Sequence, residues 1–285
     1  MTSSAGEPVG GYDLHTHSLI SDGTTRPAEI AAEAAGLGLE GFALTDHDTI
    51  EGWDEAREAA KTHGIDFLPG IEVTTRHDWK SRHLLGYGVD PHATELFESL
   101  KDVRDARYSR AHRMVELLAE DYDISWDLVM GESETIAVGR PHIADALVAA
   151  GYFPDRSEVF AQILHPRSRY YVPTYAIELP DAIRLVREAG GLPVLAHPAA
   201  MRQRKPVTSA ALRELAALGL WGVELNHPEN REDWLPSLRR TADELGLEVT
   251  SSSDYHGEGK PNRLGERRSD AALVERIRAQ VATPR

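Results

Sequence analysis

The chain has 285 residues, with 31 basic and 46 acidic side chains and a formal net charge of −15. This acidity disfavours a dedicated duplex-DNA-binding protein, because the long-range field repels polyanions, but it is compatible with a small anionic substrate. Cysteine is absent, which excludes disulfides, thiolate nucleophiles and zinc–sulfur sites, so any metal site must be built from His, Asp and Glu.

Strand-like and helix-like segments alternate along most of the chain. The strand-like "GYDLHTH" precedes "RPAEIAAEAAGLG", where Pro27 suits a first helical turn and Gly36 and Gly38 suit a helix end. Further strand-like runs are "LEGFALTDHD", "DFLPGIEVTT", "RHLLGYGV", "LPVLAHP", "LWGVELNHP" and "LEVTSSSDYH". About seven strands in βα order predict an α/β fold of the parallel-barrel type.

One interval departs from this alternation. Residues 99–176 carry several helix-like segments and no strand-like run. We therefore predict a barrel domain formed by residues 10–98 and 177–285, with a small helical subdomain inserted at 99–176. The clearest linker-like tract is Arg202–Ser209.

The N-terminal "MTSSAGEPVGG" has no basic stretch followed by an apolar core, and no run of eighteen apolar residues occurs in the sequence. These features predict a cytoplasmic protein with no membrane partner. The sequence carries no signal for an oligomeric state.

Potential metal ligands occur at or near the predicted strands: His15, His17, His47, Glu72, His83, His197, Asp254 and His256. In an α/β barrel the carboxyl ends of the strands meet at one mouth, so donors scattered along the chain become neighbours. Residues two apart in a strand share a face and lie roughly 7 Å apart, as His15 and His17 do in this pattern. The placement predicts a single metal centre.

The motifs "DLHTHS", "SDGT", "LTDHDT", "GIEVT", "HLLGYG", "VLAHP" and "SSDYHG" resemble, in this order, the PHP (polymerase and histidinol phosphatase) superfamily of metallo-phosphoesterases. The segment "GRPHIA" is similar to its TrpH-like nucleotide phosphatase branch. The resemblance implies a distorted (β/α)7 TIM-like barrel with two or three divalent ions, up to a trinuclear centre.

The resemblance also implies a set of metal ligands: His15, His17, Asp22, His47, Glu72, His83, His197, Asp254 and His256. The family pattern divides them into three groups: His15, His17, Glu72 and Asp254; Glu72, His83 and His197; and Asp22, His47 and His256. Some relatives have histidine at the position of Asp22, so this chain should have a harder third site that is either weaker or more tolerant of manganese. His142 is an alternative to His197, which we favour because it ends a predicted barrel strand.

Manganese, iron and zinc all suit such nitrogen and oxygen donors, with magnesium as a further option. Three divalent ions would contribute +6 and three acidic ligands −3, so the loaded pocket should carry about +3 and attract a compact anion such as a phosphate monoester. Because Cys and "GxSxG" are missing, we expect metal-bound hydroxide rather than a side chain to be the nucleophile. His256 and Asp46 are the candidate proton carriers.

Arg140 and His142 are the predicted substrate anchors, since a guanidinium can bind phosphate with two hydrogen bonds and an insert at the barrel mouth can cover the metals. His227 in "ELNHPEN" is a substrate-facing or structural candidate. The basic segments Arg167–Tyr171 and Arg202–Lys205 are weaker candidates.

The resulting hypothesis is metal-dependent hydrolysis of a phosphate ester of a small nucleotide, namely a nucleoside 3′,5′-bisphosphate or a nucleoside monophosphate. The alternatives are a histidinol-phosphate phosphatase, a 5′-to-3′ exonuclease on short RNA, and a non-catalytic metal-binding regulatory module. A proofreading partner of a DNA polymerase is a further option.

Overall fold

The computed structural model describes residues 10–131, 135 and 137–281. Its strands are β1 (Tyr12–Thr16), β2 (Gly41–Leu44), β3 (Asp66–His77), β4 (Lys80–Tyr87), β5 (Ile177–Glu178), β6 (Leu192–Leu195), β7 (Gly222–Asn226) and β8 (Glu248–Ser251). Its helices are α1 (Pro27–Gly36), α2 (Trp53–His63), α3 (Thr94–Leu118), α4 (Trp126–Met130), α5 (Arg140–Ala149), α6 (Arg156–Gln162), α7 (Leu179–Glu188), α8 (Ser209–Ala217), α9 (Leu235–Leu245) and α10 (Ala271–Gln280). This alternation confirms the predicted α/β class.

The strands form one sheet in the order β1-β2-β3-β4-β6-β7-β8, with the two-residue β5 paired to β3. A parallel bridge between Thr16 and Tyr255 links β1 to the segment after β8. The sheet is therefore a nearly closed barrel, which confirms the distorted TIM-like fold.

The prediction of uniformly parallel strands is wrong at β4, which runs antiparallel to both β3 and β6. His77 pairs with Lys80, so only Asp78 and Trp79 connect β3 to β4. Both have positive φ, 50° and 62°, as a tight hairpin turn requires. Two residues can only reverse the chain, because a parallel neighbour needs a crossover of a dozen or more residues.

Helices around the sheet begin and end where local sequence signals place them. Pro27 occupies the first turn of α1, and α2 ends at Gly64 in the left-handed conformation at φ 69°. Ile30 of α1, Phe42 of β2 and Ile183 of α7 are fully buried in one hydrophobic cluster between helices and strands. None of the helices in the described part of the chain combines the length and apolarity needed to cross a bilayer.

Within its described residues, the interval 99–176 contains helices and turns but no strand, with α4, α5 and α6 following α3. It has its own hydrophobic cluster, which includes Met114, Ile143 and Val159. The predicted boundary at residue 99 lies inside α3. This long helix belongs to both parts, since Leu100 packs into the barrel cluster and Met114, further along, packs into the cluster of the insert. The separation into two domains stays a prediction, as does the extent of the barrel domain at 282–285, which lie outside the described residues.

Candidate metal centre

The predicted ligands come from loops after strands and from the β3–β4 hairpin. His15 lies in β1 and His17 directly follows it, whereas His47, His197 and Asp254 lie in the loops after β2, β6 and β8. Parallel strands of a barrel end at the same edge, so these loops converge. The structure brings all nine predicted ligands together, and all are buried except the partly buried His83. Their roles as ligands remain predictions.

The loop after His17 is held in place by Asp46 and Gly23. Asp46 accepts hydrogen bonds of 2.8 and 2.7 Å from the backbone and hydroxyl of Ser18. A Cβ atom at Gly23 would lie 2.3 Å from the carbonyl oxygen of His17, so only glycine allows the loop to close. This loop carries Asp22 to the centre. The contacts of Asp46 give it a positioning role, and its predicted proton transfer stays a prediction.

The first group of donors is formed by His15, His17, Glu72 and Asp254. Nε2 of His15 lies 3.1 Å from Nε2 of His17, 3.3 Å from Oε2 of Glu72 and 3.4 Å from Oδ1 of Asp254. Tetrahedral ligands about 2.1 Å from an ion are about 3.4 Å from one another. The spacing of these four atoms therefore fits a divalent ion held at their centre.

Glu72 connects this group to a second one. Its other oxygen, Oε1, lies 2.8 Å from Nδ1 of His83 and 3.1 Å from Nε2 of His197. The antiparallel register pairs His83 with Thr74, which shares a face with Glu72 two residues earlier. The hairpin is therefore what places Glu72 and His83 side by side. Nε2 of His142, the alternative to His197, instead lies 2.9 Å from the carbonyl of Ser21.

The third group contains the predicted Asp22, His47 and His256 together with His17. Nε2 of His256 lies 3.2 Å from Oδ1 of Asp22, and Nε2 of His47 lies 3.7 Å from Oδ2 of Asp22. Oδ1 of Asp22 is buried and makes no hydrogen bond among the described residues, although Nε2 of His256 lies close to it. Nδ1 of His47 faces Oε2 of Glu72 at 3.2 Å instead. A buried carboxylate oxygen beside histidine nitrogens fits a bound cation.

Burial and neighbouring charges raise the pKa of some histidines of this centre and lower the pKa of others. Burial by itself lowers the pKa of His17, but the Asp254 and Glu72 carboxylates raise it to about 9. Burial also acts against protonation of His15, yet Glu224 and the neighbouring carboxylates hold its pKa well above the usual value. Burial and Lys260, by contrast, lower the pKa of His256 to about 4.

His256 is consequently neutral at physiological pH. Its Nδ1 lies 2.9 Å from the carbonyl oxygen of Asp254, to which it can donate, and this tautomer leaves Nε2 free to bind an ion beside Asp22. This geometry suits a ligand. The role of His256 as a proton carrier stays a prediction.

Glu224 and His227 were not among the predicted ligands but lie against them. Nδ1 of His15 donates a 2.9 Å hydrogen bond to Glu224, which also accepts from the backbone amide of His197 at 2.8 Å. His227, predicted as a substrate-facing residue, has its Nε2 buried 3.3 Å from Oδ2 of Asp254. The signal for Glu224 was an acidic side chain inside the apolar strand β7, where a buried carboxylate needs partners.

The predicted anchors Arg140 and His142 lie at the first turn of α5, where the insert meets the barrel loops. His142 accepts a hydrogen bond from the amide of Gly139 at Nδ1, so its Nε2 donates to the carbonyl of Ser21. Arg140 donates to the carbonyl of Leu164 at 3.0 Å. His142 thus joins α5 to the loop that carries Asp22, and substrate binding by both residues stays a prediction.

The weaker segment Arg202–Lys205 does reach the centre. Nη2 of Arg202 lies 3.2 Å from Nε2 of His197. Lys260 approaches from the loop after β8, with its Nζ 2.6 Å from Oδ2 of Asp254. Both cations also pair with Glu229. In the segment Arg167–Tyr171, the ring of Tyr171 lies against Arg140.

A model of the PHP domain matches residues 13–162 of this sequence. The chain belongs to the PHP family. This finding confirms the membership that the histidine motifs predicted. The matched PHP region contains six of the nine predicted ligands, and the remaining three, His197, Asp254 and His256, lie in the later barrel loops.

Individual relatives of this PHP chain agree with a phosphoester hydrolase. A Chromobacterium violaceum protein named 3′,5′-nucleoside bisphosphate phosphatase is 34% identical over 257 residues, which cover 90% of each chain. A Haemophilus influenzae protein named 5′-3′ exoribonuclease is 32% identical, over 86% of this chain and 89% of its own. A solved structure from Bifidobacterium adolescentis, described with the words "metal-dependent phosphoesterase", superposes with a TM-score of 0.93 at 39% identity over 98% of this chain and 99% of its own. The predicted enzyme class, metal-dependent phosphoester hydrolysis, is confirmed.

Proposed function

We propose that this PHP chain removes a phosphate monoester from a small nucleotide, either a nucleoside 3′,5′-bisphosphate or a nucleoside monophosphate. The observation that carries the proposal is the buried set of donors linked by the two oxygens of Glu72, with donor spacings that fit several adjacent cations. The relative named 3′,5′-nucleoside bisphosphate phosphatase supports the substrate class.

Two or three divalent ions, manganese, iron or zinc, would be held by the three donor groups. When bound, such ions act as Lewis acids toward phosphate oxygens and lower the pKa of water. Three acidic donors, Asp22, Glu72 and Asp254, would balance part of their charge, and burial holds the whole set away from bulk water.

The side chains around the donors orient the substrate. Arg202 and Lys260 are tethered to Glu229 beside the centre, where their cationic groups can turn to oxygens of the phosphate. Arg140 and His142 approach from the insert. Arg202 and Lys260 therefore place two positive groups beside a compact anion at the centre, which favours a terminal phosphate over the middle of a polymer.

Trimming of short RNA from the 5′ end is a second candidate, because the Haemophilus influenzae exoribonuclease is similar over most of both chains. Both activities would use the same metal centre. They differ in whether the product is inorganic phosphate or a nucleotide.

The deciding experiment is a panel assay with metal-loaded protein and nucleoside 3′,5′-bisphosphates, nucleoside 3′- and 5′-monophosphates, histidinol phosphate and a 5′-phosphorylated RNA pentamer. Release of inorganic phosphate from the nucleotides is expected. Exclusive release of mononucleotides from RNA would establish the second candidate instead, and phosphate release from histidinol phosphate alone would contradict both.

Asp254→Asn tests the metal centre itself. Loss of one charged donor should abolish turnover and lower the metal content of the purified protein, measured by elemental analysis. The control is Asp233→Asn, since Asp233 is exposed and paired with Arg231 on the surface. Wild-type turnover and full metal content in Asp254→Asn would remove Asp254 from the ligand set.

A further inference from the structure

Three arginines of α3 face the region where the insert meets the barrel. Arg104 and Arg107 bind Asp48, the neighbour of the predicted ligand His47; Arg107 reaches Oδ2 of Asp48 at 3.0 Å. Arg110 follows one turn later, a rise of about 4.5 Å along the helix. The helix thus carries Arg110 just beyond the loop that holds His47.

Arg110 and Arg140 meet at the ring of Tyr171. The guanidinium carbon of Arg110 lies 5.1 Å from the centre of this ring, and that of Arg140 lies 5.9 Å from it. The ring of Phe160 flanks Arg140 at 5.2 Å. Two aromatic rings therefore fix two guanidinium planes in neighbouring positions, an arrangement that favours arginine over lysine.

These two arginines, unlike Arg107, have no carboxylate within ion-pair distance among residues 10–131, 135 and 137–281. Each donates one hydrogen bond to a backbone carbonyl, Arg110 to Val172 and Arg140 to Leu164. Burial and the neighbouring charge of Arg140 lower the pKa of Arg110 below its usual range, although the guanidinium stays charged. Two partly buried cations that repel each other are stabilised when an anion lies between them.

We propose that Arg110, Arg140 and the ring of Tyr171 form a second anion site, which binds a phosphate group of the substrate other than the one that is hydrolysed. The ligand class is a phosphate monoester dianion on a nucleotide whose reacting phosphate lies at the metal centre. This inference rests on the proposed function, and it adds a reason for preferring a bisphosphate. Arg110 supplies specificity because it touches only the remote phosphate.

The test takes the 3′-phosphate as the one hydrolysed and compares adenosine 3′,5′-bisphosphate with adenosine 3′-monophosphate, which then lacks only the remote phosphate. In Arg110→Gln we expect kcat/KM for the bisphosphate to fall at least tenfold more than kcat/KM for the monophosphate, mainly through KM. Arg110→Lys keeps the charge but not the planar guanidinium. Its kcat/KM for the bisphosphate should lie between the values of wild type and Arg110→Gln. Equal losses on both substrates, or no loss, would overturn the site.

The matched control is Arg113→Gln, because Arg113 lies one turn further along α3, is exposed and pairs with Glu116. It should leave kcat/KM for both substrates unchanged. A loss of kcat/KM equal to that of Arg110→Gln would assign the effect to the charge of the helix and overturn the site.

Binding without catalysis separates this inference from the proposed function. Adenosine 5′-monophosphate is titrated calorimetrically into full-length protein treated with chelator, and Arg110→Gln should bind at least tenfold more weakly than wild type. If wild type hydrolyses no nucleotide but shows this difference, the proposed function fails and the anion site stands. Equal affinities of the two proteins, or no binding to wild type, would overturn the anion site whatever the enzyme hydrolyses.

Discussion

At the residue scale, the contact between His15 and Glu224 sets which nitrogen of His15 can bind an ion. Because Nδ1 donates to the Glu224 carboxylate, the neutral form of His15 carries its lone pair on Nε2, toward His17 and Asp254. Glu224 is fully buried, and although burial raises its pKa, the charges of His15 and His227 lower it to about 2. The carboxylate therefore stays ionised at any physiological pH.

Glu224→Gln should weaken metal binding about 10- to 100-fold, the usual effect of removing a carboxylate that orients a ligating histidine. The measurement is competition with a chelator of known affinity. Glu244→Gln is the control, since Glu244 pairs with Arg213 on the surface and should bind metal as wild type does. Unchanged affinity in Glu224→Gln would show that His15 is oriented by other contacts.

Metal binding should also release protons. The pKa of His17 is raised to about 9, so its ring is an imidazolium at pH 7.5 in the metal-free protein, and an ion can bind only its neutral form. Below about pH 9 protons compete with the metal, and affinity should rise as pH increases from 7 to 9. Calorimetry in buffers of different ionisation enthalpy counts the released protons, and a pH-independent affinity would contradict the assignment.

At the element scale, α3 ties the insert to the barrel through a buried ion pair. Arg107 contacts Asp48, whose other oxygen accepts a 2.7 Å hydrogen bond from the amide of Thr74. Asp48 is fully buried and has a left-handed backbone at φ 56°, so its carboxylate is fixed beside β3. The helix is thereby fastened to the loop that follows β2.

Arg107→Met should lower the free energy of unfolding by about 3–5 kcal/mol, because the buried carboxylate of Asp48 loses its counter-charge. Denaturant unfolding monitored by circular dichroism provides the value. Arg113→Met on the same helix should change it by less than about 1 kcal/mol, since that ion pair is exposed. Similar values for both variants would mean that the Arg107 pair contributes no more than a surface pair.

The sequence was sufficient to predict the helices and strands and most of the candidate donors. This was possible because the strand ends of a barrel converge regardless of how the loops between them are built. It was insufficient at β4, whose direction is set by the two-residue turn at Asp78 and Trp79, neither of them the glycine or asparagine that usually signals such a turn. Glu224 was missed as a partner of His15 for a related reason. The two are 209 positions apart, and only the closed sheet shows that they touch.

At the scale of the whole molecule, the metal centre joins loops from both ends of the chain, so occupancy should stabilise the fold. A metal at 100 times its dissociation constant adds about 2.7 kcal/mol when it binds only the folded state. We expect chelation to lower the melting temperature and abolish phosphate release, and manganese to restore both. An unchanged melting temperature after verified metal removal would contradict a centre that links the loops.

The separate hydrophobic cluster of the insert predicts that it opens independently of the barrel. Native-state hydrogen exchange should show amides of α5 and α6 exchanging under conditions in which β2 and β6 stay protected. Peptide-resolved mass spectrometry can follow both regions in one experiment. Simultaneous exchange would mean one cooperative unit instead of the two predicted domains.

Two of the predicted ligands, His197 and Asp254, have positive φ values of 28° and 57°. For residues other than glycine such a backbone is unfavourable by roughly 1–2 kcal/mol. Any laboratory evolution that selects only for heat resistance would reward glycine at either position, and each replacement would delete a donor. Screens that start from this protein must therefore measure phosphate release from the first round. Otherwise the most heat-resistant variants will be inactive.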